Sequence, residues 1–206
     1  MIAANDRSPD DFIAVTRTWV EKAVIGLNLC PFAKAVQVKG QIRYVVSLAQ
    51  TPEALLEALM RELKLLAQSD PEKIDTTLLI HPHALADFLD FNDFLGVADA
   101  ALEDLELDGI IQVASFHPRY QFAGTAPDAI DNCSNRSPYP TLHLLREASI
   151  ERAVETFPDT ATIFEKNIET LRRLGPDGWR AMGLNAGLNA GLNAGLDAVL
   201  YTEKKT

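Results

Sequence analysis

The chain has 206 residues, 47% of them hydrophobic and 23% charged, which is the composition of a globular domain with a sizeable core. Nineteen basic and twenty-nine acidic residues give a net charge of −10, which disfavours nucleic acid as a partner because the phosphate backbone is repelled. There is no apolar run of the ~20 residues that span a bilayer, no secretory signal and no cysteine framework. We therefore expect a cytoplasmic protein without membrane partners, and the sequence indicates no oligomeric state.

Helix and strand signals alternate along the first half of the chain. The capping residues Ser8 and Thr51, each followed by a proline, predict the starts of two helices. The predicted elements are a helix from Ser8 to about Cys30, a strand within Gln41–Leu48, a helix from Thr51, a strand at about Thr76–Ile80, a helix at Asn92–Leu107 and a strand at Ile110–Phe116. Because strands joined through a helix are usually parallel, we predict an α/β fold with a small, mainly parallel sheet of at least three strands. The alternative is an α+β fold with a ferredoxin-like sheet.

The second half of the chain is predicted to hold a long loop, two helices and a repeat. Residues 120–140 lack periodicity and are rich in Gly, Pro, Asn, Asp and Ser, which is typical of a loop, and loops of this length are often functional. Apolar residues at helical spacing predict helices at Thr141–Phe157 and Thr160–Leu174. Residues 1–178 are expected to form one globular domain, and the Gly-Leu-Asn-Ala repeat within residues 179–206 predicts a low-complexity tail.

Two predicted strands end in the same His-Pro motif. His81 and Pro82 stop the second strand, and His117 and Pro118 stop the third. Proline has no N–H with which to continue a central strand, and it holds the residue before it in an extended conformation. If the two strands are parallel, both histidines lie at one edge of the sheet, where open α/β sheets bind ligands. His81 and His117 are therefore the predicted general acid–base groups of a site at this edge.

The helix predicted after the long loop adds further candidates. His143 and Glu147 are four residues apart, so Glu147 is expected to orient His143 for proton transfer. Arg146 lies within the apolar stripe near the start of this helix, and helix N-termini attract anions. Arginines beside histidines, in a chain that is acidic overall, favour a small anionic ligand as the partner. The residues expected to bind this ligand are Arg119, Tyr120, Asn135, Arg136 and Arg146.

Each of these candidates has a structural alternative. A histidine at a strand end can simply hydrogen-bond a loop carbonyl, and an arginine can pair with one of the many acidic residues. For Arg146 the predicted acidic partners are Asp128 and Asp131. Cys30 is predicted to be a buried structural thiol, because reactive thiolates prefer a helix N-terminus or nearby cations rather than a helix C-terminus.

A divalent metal ion is the only cofactor that the sequence suggests. His81 and His83 are two residues apart and share one face if the chain stays extended through Pro82. Imidazole nitrogens and thiolates are common ligands of zinc and related metals. The candidate metal ligands are His81, His83, His117 and Cys133.

Three segments of the sequence resemble the bacterial and plant family called domain of unknown function 1415. They are Cys30–Ala33, Gln112–Gly124 and Asn135–Glu147, and the third is the most specific. The resemblance covers roughly residues 10–175 and excludes the repeat. It implies a complete, stand-alone domain, and it brings no assigned activity with it.

The sequence thus supports three functional hypotheses. The leading one is an enzyme that acts on a small anionic metabolite by histidine acid–base chemistry with arginine anion binding. The second is a metal-dependent hydrolase or metal-binding protein. The third is a non-catalytic ligand-binding module that uses the same anion site.

Overall fold

The computed structural model describes residues 7–156 and 162–184, which form a mixed sheet with helices on both faces. The strands are β1 (Ile42–Val46), β2 (Thr76–Ile80), β3 (Ile111–Phe116) and β4 (Thr141–Arg146). The helices are α1 (Pro9–Trp19), which continues as π-helical turns over Val20–Ile25, α2 (Ala33–Val38), α3 (Pro52–Gln68), α4 (Phe88–Asp104), α5 (Glu147–Thr156) and α6 (Ile163–Ala181), with a 3₁₀ helix at Ile130–Asn135. Most of the predicted repeat tail lies outside the described residues.

The four strands are arranged in the order β1-β2-β4-β3. β1 and β2 are parallel, whereas β4 is antiparallel to both β2 and β3. The small sheet with flanking helices agrees with the predicted class, but the prediction of a mainly parallel sheet is wrong. The reason is that β4, the last of the four strands along the chain, lies between β2 and β3 and not at an edge of the sheet.

The prediction of a single helix over Thr141–Phe157 is also wrong. Thr141–Arg146 forms strand β4, and only Glu147–Thr156 is helical. The apolar residues at the start of this segment fit a helical period and a strand period equally well, as short apolar runs often do. Pairing with a strand on each side decides the outcome: His143, for example, lies between Leu78 of β2 and Ala114 of β3.

The predicted helix starts are confirmed where they depend on capping residues. Ser8 forms a capping box with Asp11, and the Thr51 hydroxyl accepts a hydrogen bond from the backbone N–H of Ala54. The first helix, with its π-helical turns, ends at Ile25, somewhat before the predicted Cys30. The fourth begins before the predicted Asn92 because Asp87 caps it through the N–H groups of Leu89 and Asp90.

Hydrophobic residues pack against both faces of the sheet, because neighbouring residues of a strand point to opposite sides. In β2, Leu79 faces α3 and α4, whereas Leu78 faces α1 and α6. The first core contains the predicted leucine stripe of α3 and the inward residues of α4 and β4, among them Leu55, Leu59, Leu63, Leu66, Phe91, Ala98, Leu142 and Leu144. The second contains Trp19, Val20, Ala23, Cys133, Leu171 and Trp179.

Arg146 links the end of β4 to the end of α3. Its buried guanidinium donates to the backbone carbonyls of Leu66 and Ser69 at the C-terminus of α3 and to that of Ile74, just before β2. The Leu66 carbonyl also accepts from the N–H of Ser69. Arg146 lies directly before the N-terminus of α5, but it is the last residue of β4, and its guanidinium is directed to these carbonyls at the end of α3. Asp131, one of its two predicted partners, pairs instead with Arg172 of α6.

Replacing Arg146 by methionine would remove the guanidinium donors from the carbonyls of Ser69 and Ile74, whereas the Leu66 carbonyl keeps the N–H of Ser69. We expect Arg146→Met to lower the free energy of unfolding by about 3 kcal/mol, because buried polar groups without partners cost about 1–3 kcal/mol and bonds to charged groups are the stronger ones. Urea denaturation followed by circular dichroism measures the change. Arg180→Met is the control, since Arg180 is exposed and pairs with Asp177, and it should stay within about 0.5 kcal/mol. Equal losses in both variants would contradict the capping role.

Candidate functional site

His81 and His117 lie at the same edge of the sheet. β2 and β3 run in the same direction because each is antiparallel to β4, and each of the two histidines directly follows its strand. The backbone N–H of His81 donates to Pro140, and that of His117 donates to Asn135, at distances of 3.0 and 3.1 Å. Both acceptors belong to the segment that leads into β4, so this segment is hydrogen-bonded to the backbone of both histidines. We call this part of the sheet the histidine edge.

Aromatic side chains enclose both histidines. The ring of Phe91 lies 5.7 Å from the ring of His81 and 5.1 Å from that of His117, measured between centroids. Phe88 packs on His117 and on Tyr120. The two histidines are 0% and 1% exposed. Because burial disfavours the charged imidazolium, it lowers the pKa of each histidine to about 4, so both are neutral at pH 7.

Both ring nitrogens of His117 have partners. Nδ1 accepts a hydrogen bond from the backbone N–H of Arg119 at 3.0 Å, which requires that Nδ1 carry no proton. Nε2 therefore holds the proton and donates to the carbonyl of Leu85 at 3.3 Å. His117 thus ties the segment before α4 to the start of the long loop, and it has no free lone pair for proton transfer.

His81 has the opposite tautomer and a free lone pair. Its Nδ1 lies 3.1 Å from the carbonyl of Ala84 and must donate to it, because a carbonyl oxygen only accepts. Nε2 is therefore the unprotonated nitrogen. This atom is buried and has no hydrogen-bond partner among the described residues. The structure thus distinguishes two histidines that the sequence leaves equivalent.

The four candidate metal ligands do not come together. His83 is exposed and packs edge-on against Phe12 of α1, on the side of the sheet away from Phe91 and His81. Cys133 is buried in the core beneath α6. Within residues 7–156 and 162–184, no three His, Cys, Asp or Glu side chains form a group that could hold a metal ion. The chain does not stay extended through Pro82, which is why the expected His81–His83 pair is absent.

His143 and Glu147 do not form the expected pair. His143 lies in the middle of β4, whereas Glu147 begins α5, so the two are separated by about 13 Å of extended chain. The Thr76 hydroxyl donates to the carbonyl of Leu144 and accepts from Nε2–H of His143, both at 2.7 Å. Burial lowers the pKa of His143 to about 4. This histidine is on the α1 face of the sheet, 5.9 Å from the ring of Phe116.

Two side chains organise the long loop around backbone groups. Arg136 donates from Nε to the carbonyl of Tyr120 at 3.1 Å and from Nη2 to that of Pro127. Buried Asn132 accepts from the backbone N–H of Phe122 at 3.0 Å and donates to Ala126 at 2.9 Å. The guanidinium of Arg136, which is predicted to bind an anion, is therefore used within the loop.

Only some of the predicted anion-binding residues lie at the histidine edge. Arg119 is exposed there and donates to the carbonyl of Ala86, with the carboxylate of Asp87 at 3.4 Å. Tyr120 packs on Phe88, and the backbone of Asn135 holds His117. Arg146 lies at the opposite end of β4, about 17 Å away along the strand.

A cleft that the sequence does not indicate opens beside the histidine edge. It has a volume of about 360 Å³, and its walls include residues 45–49 of β1 and the turn after it, Ala58 and Arg61 of α3, and Leu79 of β2. The N–H of Ser47 donates to Ile80 at 2.8 Å, so the parallel pairing extends one residue beyond β1 and places Ser47 beside His81. We call this cavity the β1–α3 cleft.

The cysteines have no part in this edge. Cys30 is half-buried after the π-helical turns, where its N–H donates to Val24, and burial raises the pKa of its thiol. Burial also raises the pKa of Cys133, which packs near α6. A raised pKa leaves both as neutral thiols at pH 7, as expected of structural cysteines.

A family model described as "Protein of unknown function (DUF1415)" matches residues 11–181. All three segments that carry the resemblance lie within the matched range. No curated protein and no solved structure matches the chain. None of the described helices has both the length and the apolar character needed to cross a membrane.

The neutral state of His81 makes the stability of the fold depend on pH. Its pKa is lowered from 6.5 to about 4, so the unfolded chain binds its proton first as the pH falls. The free energy of unfolding should therefore decrease from about pH 6.5 to 4, by up to about 1.4 kcal/mol per pH unit for this residue. We expect His81→Gln to show a correspondingly shallower slope in urea titrations across this range. His83→Gln, at an exposed position, is the control; a wild-type slope in His81→Gln would contradict the assignment.

Proposed function

The chain belongs to the DUF1415 family of proteins of unknown function, and we propose that it is an enzyme acting on a small anionic metabolite at the histidine edge, with His81 as its general base. The observation that carries this proposal is the unprotonated Nε2 of His81, which is buried without a hydrogen-bond partner among the described residues. Most buried polar atoms have a partner, and an orphaned one costs about 1–3 kcal/mol. Among the described residues the hydroxyls of Thr16 and Thr77 and the indole N–H of Trp19 are also without a partner, but only Nε2 of His81 is a basic nitrogen that can take up a proton. A substrate proton delivered to Nε2 would supply the missing partner.

The surroundings of His81 favour a role in proton transfer. Its ring is held between the carbonyl of Ala84 and the ring of Phe91, which fixes both its tautomer and its plane. With a pKa of about 4 it is fully in the base form at pH 7, although it is a weak base. An anion bound next to it would raise this pKa by stabilising the imidazolium, so the base would become stronger when the substrate is in place.

In this proposal His117 is a positioning residue. Both of its nitrogens are bonded, to the N–H of Arg119 and the carbonyl of Leu85, so it neither gives nor accepts the substrate proton. It instead holds Arg119 at the rim, where the exposed guanidinium contacts Ala86 and Asp87 through Nη2 and keeps its other nitrogens for the anionic substrate. The proposal assigns no chemistry to His143, Glu147, Arg136 or Arg146.

The proposal is tested by incubating the protein with a library of anionic metabolites and following conversion by mass spectrometry. We expect at least one compound to be converted, and His81→Gln to reduce kcat about 100-fold or more while the substrate still binds. His83→Gln is the matched control and should keep the wild-type rate. Full turnover by His81→Gln would overturn the proposal, and a ligand that stabilises the fold without being converted would favour the non-catalytic module.

The pH dependence of the reaction provides a separate prediction. A general base must be unprotonated, so kcat/KM should be constant from pH 7 down to about 5 and should fall towards pH 4, the pKa of His81 in the free protein. The midpoint for kcat should lie at a higher pH, because the bound anion raises the pKa of His81 in the complex. Identical midpoints for kcat and kcat/KM would show that no anion binds next to the base.

A further inference from the structure

We infer that the β1–α3 cleft is a binding site for a small apolar monocarboxylate whose carboxylate is held by Arg61. The cleft lies at the carboxyl ends of the parallel strands β1 and β2, which is where open sheets bind ligands. Its volume of about 360 Å³ falls within the range of small-molecule sites. The inference goes beyond the proposed reaction, since it concerns binding in the cleft and not chemistry at His81.

The floor of the cleft is apolar. Val45 of β1 and Leu79 of β2 are paired neighbours in the sheet and line the cleft together with Ala58 of α3. Leu79 and Ala58 are almost fully buried, so half-buried Val45 provides the accessible part of this floor. Leu48, on the turn after β1, is 54% exposed at the mouth of the cleft. An aliphatic or aromatic body of a ligand that packs on Val45 and Leu48 would remove their exposed apolar surface from water, which is favourable by about 25 cal/mol per Å².

Arg61 is the available cation in the cleft. Its guanidinium makes no ion pair and no hydrogen bond to any residue in 7–156 or 162–184. The carboxylate of Glu62, which also lines the cleft, is already bound at 2.7 and 3.0 Å by two nitrogens of Arg43. Arg61 therefore has all of its donors free for a planar carboxylate, which a guanidinium can bind through two parallel hydrogen bonds.

Two further features act on the charge of the ligand, one attracting a negative charge and the other disfavouring a second one. The first turn of α3 reaches the cleft through Ala54, and its helix dipole adds a weak positive potential at the mouth. Glu57 also lines the cleft, one turn before Arg61 on the same helix. A second carboxylate on the ligand would be repelled by Glu57, so a monocarboxylate fits and a dicarboxylate does not.

The inference is tested with three ligands of similar length: hexanoate, the uncharged hexanamide, and the dicarboxylate adipate. Each is titrated into the ¹⁵N-labelled full-length chain at pH 7, and amide shifts are followed by NMR. Hexanoate should give saturable shifts at residues 45–49 and at Leu79. Hexanamide and adipate should bind at least about tenfold more weakly, a difference of 1.4 kcal/mol.

Arg61→Gln should weaken hexanoate binding at least about tenfold, while a dispersed spectrum shows that the variant is folded. Lys64→Gln is the matched control, because Lys64 is an exposed cation on the same helix but does not line the cleft. It should leave binding unchanged. Absent or non-saturable shifts with hexanoate, equal affinity for hexanamide or adipate, or unchanged binding by Arg61→Gln would each overturn the inference. None of these outcomes depends on turnover or on His81.

Discussion

The insertion of β4 between β2 and β3 determines the rest of the structure. Every residue of β4 from Thr141 to Leu145 has a paired partner on both sides. Because β4 is antiparallel to both neighbours, β2 and β3 must run in the same direction although they are not adjacent. His81 and His117 therefore lie beside the start of β4, at one edge of the sheet. Arg146 lies at the end of β4, at the opposite edge, where it contacts α3. A single strand thus assembles the site and caps a helix.

The histidine edge shows how burial and local hydrogen bonds give different properties to similar residues. Both histidines are neutral because aromatic rings exclude water from them. Their tautomers differ because one is bonded through Nδ1 to a carbonyl and the other accepts an N–H at that atom. As a result, the lone pair of His117 accepts a hydrogen bond from the loop, whereas that of His81 has no hydrogen-bond partner among the described residues. The difference depends on turns of only three or four residues.

Local signals predicted much of this architecture. The capping residues Ser8 and Thr51 act within one turn of helix, and the His-Pro motifs end their strands by the chemistry of proline alone, so all four can be read from neighbouring residues. β4 could not be predicted in this way. Its apolar spacing fits two periods, and the deciding partners are Leu78 and Ala114, which are distant in sequence.

The chemistry of the candidate site was less predictable than its location. The roles of Arg136 and Arg146 depend on which carbonyls the fold brings within reach, and no sequence pattern encodes that choice. The same applies to Arg61, because nothing in the sequence of α3 distinguishes it from any other exposed cation. The lone pair of His81 becomes visible only once the turn to Ala84 is known.

β1 has a strand neighbour on one side only, namely β2. The outer row of amides of such an edge strand can template the addition of a foreign strand, which leads to aggregation. Arg43 is the second residue of β1 and is held by Glu62, and Arg17 covers the ring of the adjacent Tyr44 at 4.4 Å. A charged side chain held in place thus lies on each face of this border, Arg43 as an ion pair with Glu62 and Arg17 over the ring of Tyr44. A foreign strand that paired with β1 would have to displace or desolvate these side chains, which is the kind of obstacle that disfavours edge-to-edge pairing.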